Sequence, residues 1–175
     1  MDGLPDRLAD GDAGAFVELY DKLADRLHHY LTARLGTRAD ADDVLQETFV
    51  RLARDRKRLG EVENLTAFAF VVARNEANRW LDGRRRHGET IAASAAALFH
   101  EAHADDRDAR EAAEDVVQAM ACLGPEDREI VEMRTYAGLT FREIGEVLGR
   151  PLGTVAARYR AALDRMRGWL VRERP

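Results

Sequence analysis

Cysteine, isoleucine and long apolar runs are scarce in this chain of 175 residues. The one cysteine, Cys122, excludes an intrachain disulfide, and we expect it to be a small core residue. Three isoleucines and twelve valines stand against 29 alanines and 25 arginines, a composition that favours helices over sheets. No apolar run approaches the ~20 residues that cross a bilayer, and the N-terminus has no basic and then apolar leader. We therefore expect an all-α, cytoplasmic protein without membrane insertion.

The sequence also lacks the residue groupings of catalytic and metal sites. No nucleophile stands beside a base and no phosphate-binding loop is recognisable, which argues against an enzyme and against a small-molecule substrate. His100 and His103 are three positions apart, but no cysteine pair accompanies them. We therefore predict no metal site and no cofactor.

Charge is unevenly distributed along the chain, although the formal total is only −5. Residues 91–115 carry two basic and seven acidic side chains, whereas residues 150–175 carry seven arginines and two acids. The C-terminal end is therefore locally basic, as DNA binding requires. The acidic stretch is alanine-rich and lacks a sustained apolar stripe, which is typical of a linker, either without regular structure or helical in part. We predict two small helical domains, 1–90 and 116–175, joined by the linker 91–115.

Capping residues predict the helices of the first domain. Asp12 and Gly36 bound a long helix with a regular apolar stripe. A second helix begins near Asp40, where acidic residues suit the first turn. Asn64 caps a third helix over residues 65–81.

Residues 139–163 read as a helix, a tight turn and a second helix. Thr140 and Glu143 form a capping box at the first start, and Gly149 suits a left-handed closing position. Pro151 then begins the second helix. A helix-turn-helix can place its second helix in a DNA major groove, but an ordinary helical hairpin has the same pattern.

Two helices of the first domain carry surfaces that suit a partner. Asp43, Gln46 and Glu47 form an acidic and amide surface, for which simple solvation is an equally good explanation. The helix over 65–81 combines aromatic and basic residues, which suit stacking on single-stranded nucleic acid. Any helix with a buried and a solvated side can also have this composition.

Four segments together resemble a known family. They are DADDVLQETFVRL (40–52), AFAFVVARNEA (67–77), LGPEDREIVEMRTYAGLTFREIGEVLG (123–149) and PLGTVAARYRAAL (151–163). In sequence and order they resemble the extracytoplasmic-function (ECF) sigma factors, the small two-domain sigma-70 subunits of bacterial RNA polymerase. The resemblance covers nearly all of the chain outside the linker, and it implies a subunit that directs core polymerase to promoters.

The resemblance implies that domain 1–90 binds polymerase and opens the promoter. Asp43, Gln46 and Glu47 match the helix that binds the clamp helices of the β′ subunit. The loop 57–64 and the helix after it match the part that melts the minus-ten element and reads it as a single strand. The implied contacts are Asn64, Phe68, Arg74, Asn75, Arg79, Trp80, Arg84 and Arg85, of which Phe68 and Trp80 are alternatively core residues.

Domain 116–175, by the same resemblance, binds the minus-thirty-five element as duplex DNA and contacts the β flap. The family's frequent word GTVKSR appears here as GTVAAR, so Ala156 and Ala157 leave the groove-facing side nearly bare. On a helical wheel Arg160 faces away from the buried stripe and suits a guanine edge, whereas Arg158 lies on the flank and suits phosphate. The predicted contacts are Arg142, Arg150, Thr154, Arg158 and Arg160.

Two other interpretations remain open from the sequence. A stand-alone helix-turn-helix regulator would bind duplex DNA without polymerase, but it needs neither the acidic helix nor the melting segment. A sigma-like decoy would bind polymerase or an anti-sigma factor and start no transcripts. An anti-sigma factor is also a candidate partner of a true sigma factor.

The two arginines of the second helix should differ in their effect on promoter binding. Arg160→Ala should relax the upstream sequence preference by about 1–3 kcal/mol of discrimination. Arg158→Ala should weaken binding to all sequences alike. Binding to a panel of promoter mutants measures both effects, and an equal loss of selectivity from the two substitutions would refute this division.

Overall fold

The computed structural model describes residues 3–86 and 107–173, and all regular structure within them is helical, which confirms the all-α prediction. No helix in these ranges is long and apolar enough to cross a membrane. The N-terminal helices are α1 (Leu4–Asp10), α2 (Ala13–Leu35), α3 (Arg38–Arg54), α4 (Arg56–Leu59) and α5 (Leu65–Arg86). The C-terminal helices are α6 (Arg107–Ala121), α7 (Pro125–Thr135), α8 (Phe141–Leu148) and α9 (Leu152–Glu173).

The N-terminal helices pack around α2. Helices α3 and α5 both contact α2 and each other, and the short α1 lies against α4. Tyr30 of α2 and Phe70 of α5 are fully buried, with ring centroids 5.6 Å apart. Burial of such large apolar side chains is the main stabilising contribution to a helical core.

Two predicted caps of α2 are confirmed. Oδ1 of Asp12 accepts a hydrogen bond from the amide of Gly14 at 2.8 Å, which satisfies one of the free amides at the helix start. Gly36 closes the helix with a φ of 87°, in the left-handed region that favours glycine.

Two other predicted boundaries are wrong by a few residues. Thr37 caps α3, because its hydroxyl accepts from the amide of Asp40 at 3.1 Å, so the helix begins at Arg38. Helix α5 continues beyond residue 81 through Gly83 to Arg86. A glycine inside a helix lowers its stability by only about 1 kcal/mol relative to alanine. The three arginines in the last turn stabilise the extended helix, because they lie at the negative end of its dipole.

The segment predicted as a linker is partly helical. Helix α6 begins at Arg107, within the predicted linker and nine residues before the predicted start of the second domain, and it packs against α9. Ala113, Ala119 and Met120 are buried on the side of α6 that faces the core. Tertiary contacts therefore stabilise this helix, and its alanine-rich sequence does not predict them. Residues 91–106 of the predicted linker lie outside the described residues.

Cys122 is not the core residue that we expected. Helix α6 ends at Ala121, and in the turn that follows Leu123 is buried while Cys122 is exposed. The Cys122 thiol donates to the carbonyl oxygen of Ala119 at 2.7 Å. The turn therefore gives the apolar position to Leu123, the larger of the two side chains.

The predicted helix-turn-helix is formed by α8 and α9. The Thr140 hydroxyl accepts from the amide of Glu143 at 3.2 Å, and the Glu143 carboxylate accepts from the amide of Thr140 at 2.7 Å, which confirms the capping box. Gly149 closes α8 with a φ of 64°. A Cβ atom on Gly145 would lie 2.6 Å from the carbonyl oxygen of Arg150, so the turn can pass this close only because residue 145 is glycine.

The two halves of the chain pack against each other. Helix α5 contacts α8, and α2 contacts α7. One apolar cluster includes Phe70 from the first half and Ile130, Met133 and Ile144 from the second. A separate cluster under α9 contains Val131, so α7 is apolar on two sides. The domains are thus joined by a continuous core in addition to any link through residues 87–106.

Candidate polymerase and nucleic-acid interfaces

The acidic surface predicted to bind polymerase lies on the solvent side of α3. Asp43, Gln46 and Glu47 are all exposed, while Val44 and Leu45 of the same helix are buried. Spacings of three and four residues place the three polar side chains on one side of the helix. The structure therefore brings all three together on one accessible surface, which we call the α3 acidic face.

An apolar groove of about 700 Å³ lies beside the α3 acidic face, between α2 and α3. Val17 and Tyr20 of α2 line it and are 61% and 49% exposed. The Tyr20 ring packs against Phe49 of α3 with centroids 4.8 Å apart. Gln46 belongs to both the groove and the acidic face. An exposed apolar surface with a polar rim is typical of a protein contact site.

Part of the predicted minus-ten set forms a strip along α5. At about 100° per residue, Phe68, Asn75 and Arg79 lie on one side of the helix, which we call the α5 strip. Asn75 and Arg79 are exposed and Phe68 is half-buried. The guanidinium of Arg58 lies 5.8 Å from the Phe68 ring centre, and Arg79 pairs with Glu76 at 2.8 Å. A ring, an amide and a guanidinium are thus aligned along about 16 Å of one side of the helix.

The remaining residues near the end of α5 lie on other sides of the helix. Trp80 is half-buried against the core, with the guanidinium of Arg84 4.7 Å from its ring centre. Arg84 also pairs with Asp40 of α3 at 3.3 Å. Arg85 is 70% exposed and lies 3.6 Å from Asp82. The structure therefore does not bring these side chains together with the α5 strip.

Two further minus-ten candidates are engaged by carboxylates of the C-terminal half. Nε of Arg74 donates to Oε1 of Glu129 at 2.8 Å, and Nη2 donates to Oε2 at 3.1 Å. This bidentate geometry is the strong form of an arginine–carboxylate pair. Nδ2 of Asn64 donates to Oε2 of Glu146 at 2.8 Å, while Oδ1 of Asn64 caps α5 as predicted.

Glu129 is the centre of a polar cluster between the two halves. We define the Glu129 cluster as Tyr30 and Arg34 of α2, Arg74 of α5, and Glu129 and Glu132 of α7. The Glu129 carboxylate is 4% exposed, accepts from the Tyr30 hydroxyl at 3.1 Å and lies 3.3 Å from Nη1 of Arg34. Burial raises the pKa of Tyr30 well above its ordinary value, so the hydroxyl remains a neutral donor.

Glu132 is the least satisfied member of this cluster. Its side chain is 4% exposed, and the nearest atom of Arg34 is 3.8 Å away. Among the described residues, its Oε2 has no hydrogen-bond partner. Burial is the main cause that raises the pKa of Glu132 to about 7, with a further contribution from the charge of Glu129, and the charge of Arg34 opposes the rise.

Helix α9, the recognition helix, presents a sparse outer surface. Val155, Ala162 and Met166 are buried, while Ala157 and Arg160 are exposed, as the helical wheel predicts. The other predicted upstream residues divide into two groups. Arg142 and Thr154 are exposed. Arg150 is also exposed but pairs with Glu126 of α7 at 2.8 Å, and the partly exposed Arg158 pairs with Asp127 of α7 at 2.8 Å.

Sequence reasoning missed the acids of α7 as partners of arginine. Glu126 and Asp127 stand in the first turn, where the helix dipole alone is enough to explain them. Glu129 and Glu132 flank the buried Ile130, and this mixture of acidic and apolar residues on a short helix is the sequence signal of burial. Nothing in the sequence indicates which arginines these acids contact.

Metal binding finds no support in the described parts of the chain. No group of histidine, cysteine and carboxylate side chains in residues 3–86 and 107–173 could hold a metal ion. His100 and His103 lie outside the described residues.

Comparison with known proteins identifies both halves. The family described as Sigma-70 region 2 matches residues 19–87, and the family described as Sigma-70, region 4 matches residues 119–168. The ECF RNA polymerase sigma factor SigL of Mycobacterium tuberculosis is 30% identical over 165 residues, covering 91% of this chain and 90% of SigL. The chain belongs to the ECF sigma factor family. The family resemblance of the four sequence segments is therefore confirmed.

Other ECF sigma factors are similar over most of this chain. SigE of Mycolicibacterium smegmatis is 31% identical over 176 residues, covering 94% of this chain and 66% of SigE. BldN of Streptomyces coelicolor is 30% identical over 168 residues, covering 90% of this chain and 61% of BldN. This family member thus spans less than two thirds of the length of these two relatives.

Two solved structures share the fold. CnrH, in complex with the cytosolic domain of CnrY, has a TM-score of 0.72 at 20% identity and covers 97% of this chain and 96% of its own. RpoE of Bartonella quintana, in complex with the anti-sigma factor NepR, has a TM-score of 0.71 at 21% identity, with 91% and 98% covered. At this identity the likeness concerns the fold alone.

The buried Glu132 should make stability depend on pH. Its pKa rises from 4.5 to about 7 in the folded chain, so its favourable contribution is present below about pH 4.5 and is lost as the pH rises through about 7. Each pKa unit corresponds to about 1.4 kcal/mol at most. The unfolding free energy of the wild type, measured by urea denaturation, should therefore fall as the pH rises from about 5 to about 7. Glu132→Gln should lack this fall.

The matched control for this measurement is Glu61→Gln, at an exposed position. It should leave the pH dependence of the wild type unchanged. The same slope in the wild type and in Glu132→Gln would show that Glu132 is ionised in the folded protein.

Proposed function

We propose that this protein is a sigma factor that binds core RNA polymerase and directs it to specific promoters in the cytoplasm. The observation that carries the proposal is the presence, in order and in one chain, of regions matching Sigma-70 region 2 and region 4. The exposed α3 acidic face and the open outer side of α9 support it. In this proposal the protein contributes no catalytic chemistry, and polymerase supplies the chemistry of RNA synthesis.

We propose that the α3 acidic face binds the clamp helices of the polymerase β′ subunit. The exposed charges of Asp43 and Glu47 would direct association and orientation. The adjoining groove, with Val17 and Tyr20, would supply the apolar burial that gives an interface most of its affinity. The C-terminal half would contact the β flap.

Promoter reading would be divided between α5 and α9. Flipping a base out of the duplex costs a few kcal/mol, and stacking on an aromatic side chain returns about 1–3 kcal/mol per base. Phe68 suits stacking, Asn75 suits a base edge, and Arg79 suits either a base or phosphate. On α9, Arg160 would read the duplex minus-thirty-five element. The other proposed upstream contacts are Arg142, Arg150 and Thr154.

Contacts of Arg74 and Asn64 with single-stranded DNA would require the two halves to separate. In the structure these side chains donate hydrogen bonds to Glu129 and Glu146. The same donors would be needed to bind a phosphate or a base. DNA and the C-terminal half would therefore compete for the same donors on α5. We infer that the packed arrangement is a state that does not read the minus-ten element.

An anti-sigma factor is a further proposed partner. RpoE was solved with the anti-sigma factor NepR and CnrH with the cytosolic domain of CnrY, and both share this fold. An inhibitor that filled the groove beside the α3 acidic face would also block access of polymerase to that face. This arrangement would make inhibition and polymerase binding mutually exclusive.

Transcription from a genomic template library tests the proposed function. Purified core polymerase with this protein should produce new transcript starts that share two spaced sequence motifs. Polymerase binding without new starts would support a decoy, and duplex binding without polymerase would support a stand-alone regulator. Glu47→Arg should abolish most new starts by weakening polymerase binding, whereas Asp10→Arg, an exposed reversal on α1, should not.

Loss of the Glu129 charge should favour separation of the two halves. Glu129→Gln leaves Arg74 and Arg34 without their shared carboxylate, and unpaired buried charge is strongly unfavourable. Energy transfer between a dye on the exposed Cys122 and a second dye at Asp21→Cys should fall relative to the same labelled protein with Glu129 intact.

The control is Glu114→Gln on the exposed side of α6, which should leave the transfer efficiency unchanged. Core polymerase should lower the efficiency of all variants. Full promoter activity at undiminished energy transfer would contradict a requirement for separation.

A further inference from the structure

Two acids at the start of α7 hold three arginines of the turn and the recognition helix. Asp127 is 8% exposed and accepts from Nε of Arg158 at 2.8 Å and from Nη1 of Arg165 at 2.6 Å, one on each oxygen. Glu126 accepts from Nε of Arg150 at 2.8 Å, and its other oxygen lies 3.2 Å from Nη1 of Arg158. Both oxygens of both carboxylates are therefore used by arginine.

These pairs constrain the rotation of α9 about its own axis. Arg158 and Arg165 are seven positions apart, so they lie two turns apart on the same side of the helix. At about 100° per residue, Arg158 lies about 160° around the helix from Arg160. Rotation of α9 that moved Arg160 away from the groove would break both contacts with Asp127. The first turn of α7, where Asp127 stands, favours a negative side chain through the helix dipole.

The same pairs make Arg158 a poor phosphate contact. A phosphate at Arg158 would have to displace Asp127 or Glu126, or lie beside two carboxylates that repel it. The guanidinium already uses its Nε and Nη1 groups within the protein. The exposed Arg160 has neither restriction.

We propose that Asp127 is a positioning residue for minus-thirty-five recognition, which through Arg158 and Arg165 holds α9 so that Arg160 faces the DNA groove. Arg158 then acts by holding the helix, in place of the phosphate contact that the sequence favours. This proposal rests on the proposed function and deepens it. Asp127 is buried, but Arg158 and Arg165 are 38% and 54% exposed, so solvent screens these pairs and their loss should appear mainly in DNA binding.

A double-substitution cycle tests the proposal. Holoenzyme with Asp127→Asn, Arg158→Ala or both is titrated with a promoter duplex obtained from the start-site mapping, at several salt concentrations. Each single substitution should weaken binding about tenfold, and the double variant should bind no more weakly than either single one. The matched control is Arg167→Ala, on a 75% exposed arginine of α9, whose effect should add to that of Asp127→Asn.

Arg158→Lys separates the two roles of Arg158. Lysine keeps the positive charge that a phosphate contact needs, but it lacks the planar fork that bridges two carboxylates. We expect Arg158→Lys to bind promoter as weakly as Arg158→Ala, with the salt dependence of the wild type. Restored binding by lysine, or a slope of log K against log salt that falls by about 0.9 in Arg158→Ala, overturns the proposal.

Misfolding of a variant and failure of the proposed function can each be distinguished from failure of the Asp127 proposal. If Asp127→Asn does not fold, the cycle is run with Glu126→Gln, at a side chain that is 29% exposed and also contacts Arg158. A wild type that starts transcripts at shared motifs upholds the function whatever the cycle shows. If the wild type starts no transcripts but binds a specific duplex without polymerase, the proposed function is overturned. The double-substitution cycle is then measured with that duplex. A wild type that does neither overturns both.

Discussion

The carboxylate of Glu129 joins the two halves of this chain. It binds Arg74 through two hydrogen bonds, accepts a third from Tyr30 and lies beside Arg34, in a site from which water is almost excluded. A buried charge that loses one partner leaves the others unsatisfied, so these contacts should form and break as a unit. In the proposed function, access of DNA to Arg74 on α5 depends on these contacts, because Arg74 would bind either Glu129 or DNA. Burial of Glu132 in the same cluster raises its pKa, so the stability of the packed arrangement should fall as the pH rises through about 7.

In the proposed function, pairing between acids and arginines also limits how strongly this protein would bind DNA irrespective of its base sequence. The basic C-terminal end is less positive to an approaching phosphate than its composition indicates, because Arg150, Arg158 and Arg165 face carboxylates of α7. Arg160 stands out on a surface otherwise lined by small residues such as Ala157. In the proposed function, upstream selectivity rests on a few well-placed contacts, and polymerase contributes much of the affinity.

Local signals predicted those parts of the fold that depend on neighbouring residues in sequence. The caps at Asp12 and Thr140 need only an amide two or three positions away, and the structure has both. The α3 acidic face was predictable as one surface because its members share a helix turn. The start of α6 and the exposure of Cys122 were not, since both depend on how α6 packs against α9. Helical periodicity alone separates the α5 strip from the other minus-ten candidates. The pairing of Arg74 with Glu129 and of Asn64 with Glu146 was not predictable, because it joins distant parts of the chain.

The amino-acid sequence by itself determined the helical class, the helix-turn-helix with its caps, and the family, because periodicity, capping and motif order are properties of residues close together in the chain. Only the tertiary structure decided which charges meet. Glu129 and Arg74 are separated by 55 positions, and Asp127 and Arg165 by 38. An acid near a helix start has the same local pattern whether it faces water or a distant arginine. Its partner is chosen by the packing of α7 against α2, α5 and α9, and that packing requires the whole folded chain.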